Sequence, residues 1–150
     1  MNFARPNPHR GAGVYARLGM ETTALSASPH QLTAMLFEGA GTAIAMARHC
    51  MSGNHIKSKG EAISRAINII ENGLKASLDA DAAGAEGAQL VDNFSALYDY
   101  IVRRLMLGNL HNDPASLEEA ARLLESVASA WRELGPQQRT AGTEQAVATQ

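Results

Sequence analysis

Apolar and small residues recur at helical spacing along most of the chain. From Leu32 they continue at Met35, Leu36, Gly39, Ala40, Ala43, Ala47 and Cys50, which predicts a first helix. Ser28-Pro29-His30-Gln31 marks its start. Ser28 can accept from a free amide of the first turn, Pro29 suits the first helical position, and Gln31 completes a capping box. Gly53 is the expected stop. A second helix is predicted from Ile56 to Leu78, with Ile56, Ile63, Ile67, Ile70, Leu74 and Leu78 as its stripe. Lys59, Glu61, Ser64, Arg65, Asn68, Asn72 and Lys75 occupy the opposite face. No alternation of period two competes with this reading.

Asp79 to Gly87 is small, acidic and glycine-bearing, and reads as a loop. The third helix runs from about Ala88 to Leu110 on a stripe of Leu90, Phe94, Leu97, Ile101 and Leu105, with Val91 and Tyr98 at its margin. At Asn112-Asp113-Pro114 the chain breaks and restarts, Asp113 capping and Pro114 taking the first helical position. Leu117, Ala121, Leu124, Val127 or Ala128, and Trp131 carry the fourth helix, which Gly135-Pro136 is expected to end.

Outside these helices, residues 1–13 contain Pro6, Pro8, Gly11 and Gly13 and read as a flexible lead. Val14, Tyr15, Leu18 and Met20 restore apolar character over a short helical segment that must pack on something to be ordered. Residues 136–150 are polar and read as a disordered tail. The fold expected for residues 14–135 is all-α: an antiparallel up-and-down four-helix bundle with a short N-terminal helical segment.

Composition narrows the function. A length of 150 residues allows one domain, and a hydrophobic fraction of 45% is that of a folded protein. Aromatics make up only 5%, so Ala, Leu, Ile and Met must fill the interior. The net charge of −2 leaves no nucleic-acid footprint, and Arg103-Arg104 is the one adjacent basic pair. Cys50 is the only cysteine, which excludes an internal disulfide and suits a small buried hydrophobe. The chain starts without the apolar run of a signal peptide and has no stretch long enough to span a bilayer, so a cytosolic location is expected.

Helical bundles can house metals, and a di-iron site needs paired Glu-x-x-His motifs. No glutamate here is followed by histidine three residues later, and the five histidines form no pair three or four apart. His30 and His111 read as solvated residues beside helix termini. There is no nucleophile elbow, phosphate loop or dinucleotide fingerprint. Asn93-Phe94-Ser95 matches a glycosylation sequon only in form. The reading is therefore a binding protein with no catalytic residues, no metal and no cofactor. Leu97, Tyr98, Ile101 and Leu105 make a wide face edged by Tyr100 and Arg104. Either all four are core, or they line a groove that accepts an amphipathic helix from a partner. The Val14–Met20 segment is a natural occupant of that groove when the partner is absent.

Several blocks resemble the flagellar secretion chaperone family FliS. They are Val14-Tyr15-Ala16-Arg17, Ser26-Ala27-Ser28-Pro29-His30-Gln31-Leu32, Met35-Leu36-Phe37-Glu38-Gly39-Ala40, and Ser64 to Leu74 after Lys59-Gly60. The most telling are Leu97-Tyr98-Asp99-Tyr100-Ile101-Val102-Arg103-Arg104-Leu105 and Asn109-Leu110-His111-Asn112-Asp113, and Trp131 falls where the family has a tryptophan. Gly108, where alanine is expected, and Gly41 in mid-helix depart from the pattern.

The resemblance implies a cytosolic chaperone that binds the disordered C-terminal region of flagellin, prevents its premature polymerisation and keeps it competent for secretion. It also implies that the N-terminal segment rearranges to admit flagellin, with Tyr15 at the family's tyrosine position. Together with the apolar pattern, it puts Tyr15, Leu18, Ile67, Leu97, Tyr98, Ile101 and Leu105 at the flagellin surface. The export gate, an anti-sigma factor or a co-chaperone are further partners it allows. The alternative is an adaptor or regulator that binds one of those other flagellar proteins.

Overall fold

The computed structural model describes residues 27–78 and 84–148, with side chains described to residue 133 and not at 84–86. Among the described residues four helices follow one another: α1 (Pro29–Ser52), α2 (Ile56–Ile69, extended by a π-helical turn, Ile70–Lys75), α3 (Gly84–His111) and α4 (Pro114–Ala148). No strand occurs among the described residues. α1 packs along α2 and α4, and α3 along α4 and more lightly along α2, so α1 and α3 occupy opposite corners of an antiparallel ring. The expected segment at Val14–Met20, with Tyr15 and Leu18, lies outside the described residues.

The helix starts follow their local chemistry. Ser28 Oγ accepts from the Gln31 amide at 3.2 Å while Gln31 Oε1 accepts from the Ser28 amide at 2.8 Å. This closes the capping box and satisfies two amides that have no partner within the helix. At the start of α4, Asp113 Oδ1 accepts from the Ala115 amide and Oδ2 from the Ser116 hydroxyl. Those two hydrogen bonds stabilise the carboxylate and hold Asp113 below the usual carboxylate range. Both hairpin turns at this end of the bundle place an asparagine in the left-handed region, Asn54 at φ 60° and Asn112 at φ 51°. Asparagine is among the few L-residues that adopt it readily.

Leu36, Phe37, Ile44, Ile63, Ile69, Ile70, Leu74, Tyr98, Ile101, Leu105, Leu117 and Leu124 form one continuous core, threaded by Ala40, Ala43, Ala47, Ala66 and Ala120. The alanines let α1 approach α2 and α4 closely, so a core poor in aromatics still closes. Cys50 is free and buried, as a small hydrophobe.

Five local expectations are corrected. First, α2 is not regular to Leu78, because the π turn adds a residue to its last stretch. The re-phasing lets Ile69 and Ile70 both turn inward, while Ile67 is only half-buried and Ile56 is exposed. Second, α3 begins at Gly84 instead of near Ala88, helped by the strong helix formers Ala85 and Glu86. Third, α4 does not stop at Gly135-Pro136 but stays helical to Ala148. Proline forfeits one backbone bond there, and the following Gln137, Gln138, Arg139 and Ala141 all favour helix.

Fourth, His30 is not a solvated end residue: its ring stacks on Trp131 at 4.1 Å and 14°, tying the start of α1 to α4. Trp131 in turn lies 5.6 Å from the Phe37 ring. Fifth, Lys59 is 4% exposed instead of solvated. Its Nζ donates to the Asn109 carbonyl at 3.2 Å and to Asn112 Oδ1 at 3.0 Å. A residue read as polar surface thereby satisfies the carbonyl end of α3 and the adjacent turn.

Candidate partner-binding surface

α3 is the helix on which most of the expected contact residues fall. Its inward face carries Phe94, Tyr98, Ile101, Val102 and Leu105. Tyr98, Ile101 and Leu105 are therefore core residues and do not line an open groove, a correction to the wide-face reading. The stripe is rotated slightly from the expected one: Tyr98 replaces Leu97 at its centre, and Leu97 is 39% exposed. Burial pushes the Tyr98 phenol well up from its ordinary value. Its ring packs at 6.4 Å from both Phe37 and Phe94. Ile67 packs half-buried against the core. The structure thus brings Tyr98, Ile101 and Leu105 together inside, and leaves Leu97 outside.

Three polar ties fix α3 in rotation. On the α2 side, Lys75 Nζ meets Asp99 Oδ1 at 2.6 Å, and that hydrogen bond raises the Lys75 ammonium from its ordinary value. Nearer the turn, Lys59 holds Asn109 as described. On the α4 side, Glu119 is shared between two residues of α3. Tyr100 donates its hydroxyl to Glu119 Oε2 at 3.0 Å, and Arg104 Nε pairs with Oε1. The Arg104 Nε is buried and off the axis of an aligned hydrogen bond, so charge carries that contact. The bond to Glu119 raises the Tyr100 phenol, while Arg103 lies 5.7 Å over its ring. The residues expected at the edges of a groove instead clamp α3 to α4.

With its inner face buried and its flanks tied, α3 presents a third, outward side. Met106 and Leu110 are four residues apart, and Leu107 and Leu110 three apart, so they share the exposed surface of the last two turns. Met106 is 55% and Leu110 75% exposed, and Leu107 is exposed as well. Ile56, exposed at the start of α2, lies one turn before the Lys59 that touches Asn109, and so belongs to the same end of the bundle. These four residues were missed from the sequence. The available signal was the excess of large apolar residues at positions 106, 107 and 110, none of which fits the stripe through 94, 101 and 105.

This arrangement is suited to apolar binding. Among the described residues no group of His, Cys, Asp and Glu could hold a metal ion, and no helix is long and apolar enough to cross a membrane. The family described as "Flagellar protein FliS" matches residues 11–138. The flagellar secretion chaperone FliS of Salmonella typhimurium is 46% identical over 126 residues, covering 84% of this chain and 90% of that protein. Its counterpart in Escherichia coli is 44% identical over 124 residues, with 83% and 88% coverage. The flagellar secretion chaperone FliSB of Pseudomonas aeruginosa is 36% identical over 117 residues, covering 78% and 89%.

Proposed function

The chain belongs to the FliS family, and from that premise we propose that it holds the C-terminal region of flagellin in the cytosol before export. It is a flagellar secretion chaperone, as its relatives are, so its partner is a flagellar protein. Flagellin is the partner this reading selects. The observation that carries it is the double character of α3. Four of the six exposed large hydrophobics among the described residues sit on this one helix, Leu97 at one edge of its buried face and Met106, Leu107 and Leu110 on the side turned away from it.

A partner segment that is disordered alone can fold as an amphipathic helix against such a surface, anchoring residues three and four apart. Coupled folding of this kind buries about 1,000–3,000 Å² and spends about 2–5 kcal/mol on ordering the segment. The affinity per unit area is then moderate, which suits a cargo that must be released at the secretion gate. While held, the flagellin helices are unavailable to neighbouring subunits, and premature polymerisation is blocked.

In this reading Leu97 and Ile67 touch the partner, and Tyr98, Ile101 and Leu105 support them from beneath. Tyr15 and Leu18 belong to an N-terminal segment that gives way to the partner, and residues 136–150 lie outside the holding unit. Calorimetric titration with the C-terminal segment of the flagellin from the same organism tests it. Saturable one-to-one binding with a large negative heat-capacity change is expected. No heat and no complex by gel filtration would move the role to another flagellar partner, such as an anti-sigma factor or a co-chaperone.

A further inference from the structure

The methionines differ widely in exposure. Met51 is 7% exposed, whereas Met46 and Met106 are 52% and 55% exposed. Met35 is half-buried, and Met1 and Met20 lie outside the described residues. The only thiol, Cys50, is buried, so the oxidisable sulfur at the described surface is thioether sulfur.

Met46 and Met106 also differ in setting. Met46 is on α1, at the corner of the bundle opposite α3, with exposed Ala45 beside it. Met106 stands on α3 beside Leu107 and one turn from Leu110, within the proposed partner surface. We infer that Met106 is an oxidation site that regulates partner holding. The inference rests on the flagellin reading.

The chemistry needs a peroxide-class oxidant from the surroundings. With hydrogen peroxide, a lone pair of the Met106 sulfur attacks one peroxide oxygen, and the S–O bond forms as the O–O bond breaks. The sulfur loses two electrons, and the departing oxygen takes them and leaves as water after proton transfer. The product is a sulfoxide, which methionine sulfoxide reductases return to the thioether. A flexible apolar side chain becomes a strong hydrogen-bond acceptor. Pressed against an apolar partner it loses hydration without gaining a donor, so the complex weakens while the bundle, whose core excludes Met106, keeps its fold.

The test uses the full chain, the flagellin C-terminal segment and dilute hydrogen peroxide. Trypsin cuts after Arg104 and Arg122, isolating Met106 from every other methionine for mass spectrometry. Expected are oxygen addition at Met46 and Met106 ahead of Met51, roughly tenfold weaker binding, an unchanged helical melt, and recovery after reductase treatment. Met106→Leu should resist the loss, Met46→Leu should not, and Met106→Gln should bind weakly without peroxide. Unchanged affinity with Met106 fully oxidised would overturn the inference and leave the flagellin reading standing. So would a loss that persists in Met106→Leu. Absence of binding before any peroxide is added would instead remove the flagellin reading, and the inference with it.

Discussion

The last three turns of α3 have two sides built from much the same residue types. Inward, Ile101, Val102 and Leu105 are buried in the core of the bundle, with Gly108 at the crossing with α4. Outward, Met106, Leu107 and Leu110 remain in contact with water. The inner residues are retained by stability, since each loses its hydration once, during folding. The outer residues gain nothing from folding, and water-exposed apolar surface of this kind marks a site for a partner. A substitution on one side should therefore read out in melting, and on the other in binding.

The largest break in that contrast comes from Leu105→Ala. It leaves a cavity at a fully buried core position and is expected to cost about 2–5 kcal/mol, seen as a lower midpoint in denaturant unfolding. Gly108→Ala follows. A Cβ there would stand 2.7 Å from Leu117 Cδ2 and 3.4 Å from the Ser116 Cβ, so either the buried Leu117 side chain shifts or α3 and α4 separate. The expected loss is about 1–3 kcal/mol, and a melting curve equal to the parent's would show that Leu117 simply swings aside.

On the outer side, the double change Leu107→Ser, Leu110→Ser should leave stability within about 0.5 kcal/mol. Flagellin binding in the same titration should fall roughly tenfold; a large drop in melting with intact binding would reverse the assignment of the two sides. The smallest effect is a control for the glycine argument. Gly41 has nothing within 4 Å of where its Cβ would be, so Gly41→Ala should stabilise the bundle by about 0.5–1 kcal/mol. The two departures from the family pattern thus carry opposite signs, one glycine needed for a close helix crossing and the other dispensable.

Much of the fold was legible because its signals are local. The capping box at Ser28 and Gln31 and the Asp113-Pro114 restart involve neighbours in sequence, and both are realised with the expected hydrogen bonds. Gly53 ends α1 as expected, though for a spatial reason. Its φ of −88° asks nothing special of glycine, but a Cβ would come within 2.8 Å of the His55 ring. The candidate site was less legible. Reading Leu97 as core and Tyr98 as margin is an error of one residue; both were placed at the partner surface, and of the two only Leu97 is exposed. Lys59 was assigned to the surface on charge alone, although its partners lie fifty residues away on α3.

What the sequence determined by itself was the four helices among the described residues, the capped starts of α1 and α4, the all-α class and the family, because periodicity, capping and motif order are properties of neighbouring residues. What only the tertiary structure decided was rotation: which side of α3 faces inward, where the π turn re-phases α2, and which cations and rings find partners across the bundle. A helix of given pattern can turn by a fraction of its stripe at little intrinsic cost. The final angle is set by how the side chains of three other helices pack against it and by polar ties such as Lys75–Asp99 and Arg104–Glu119.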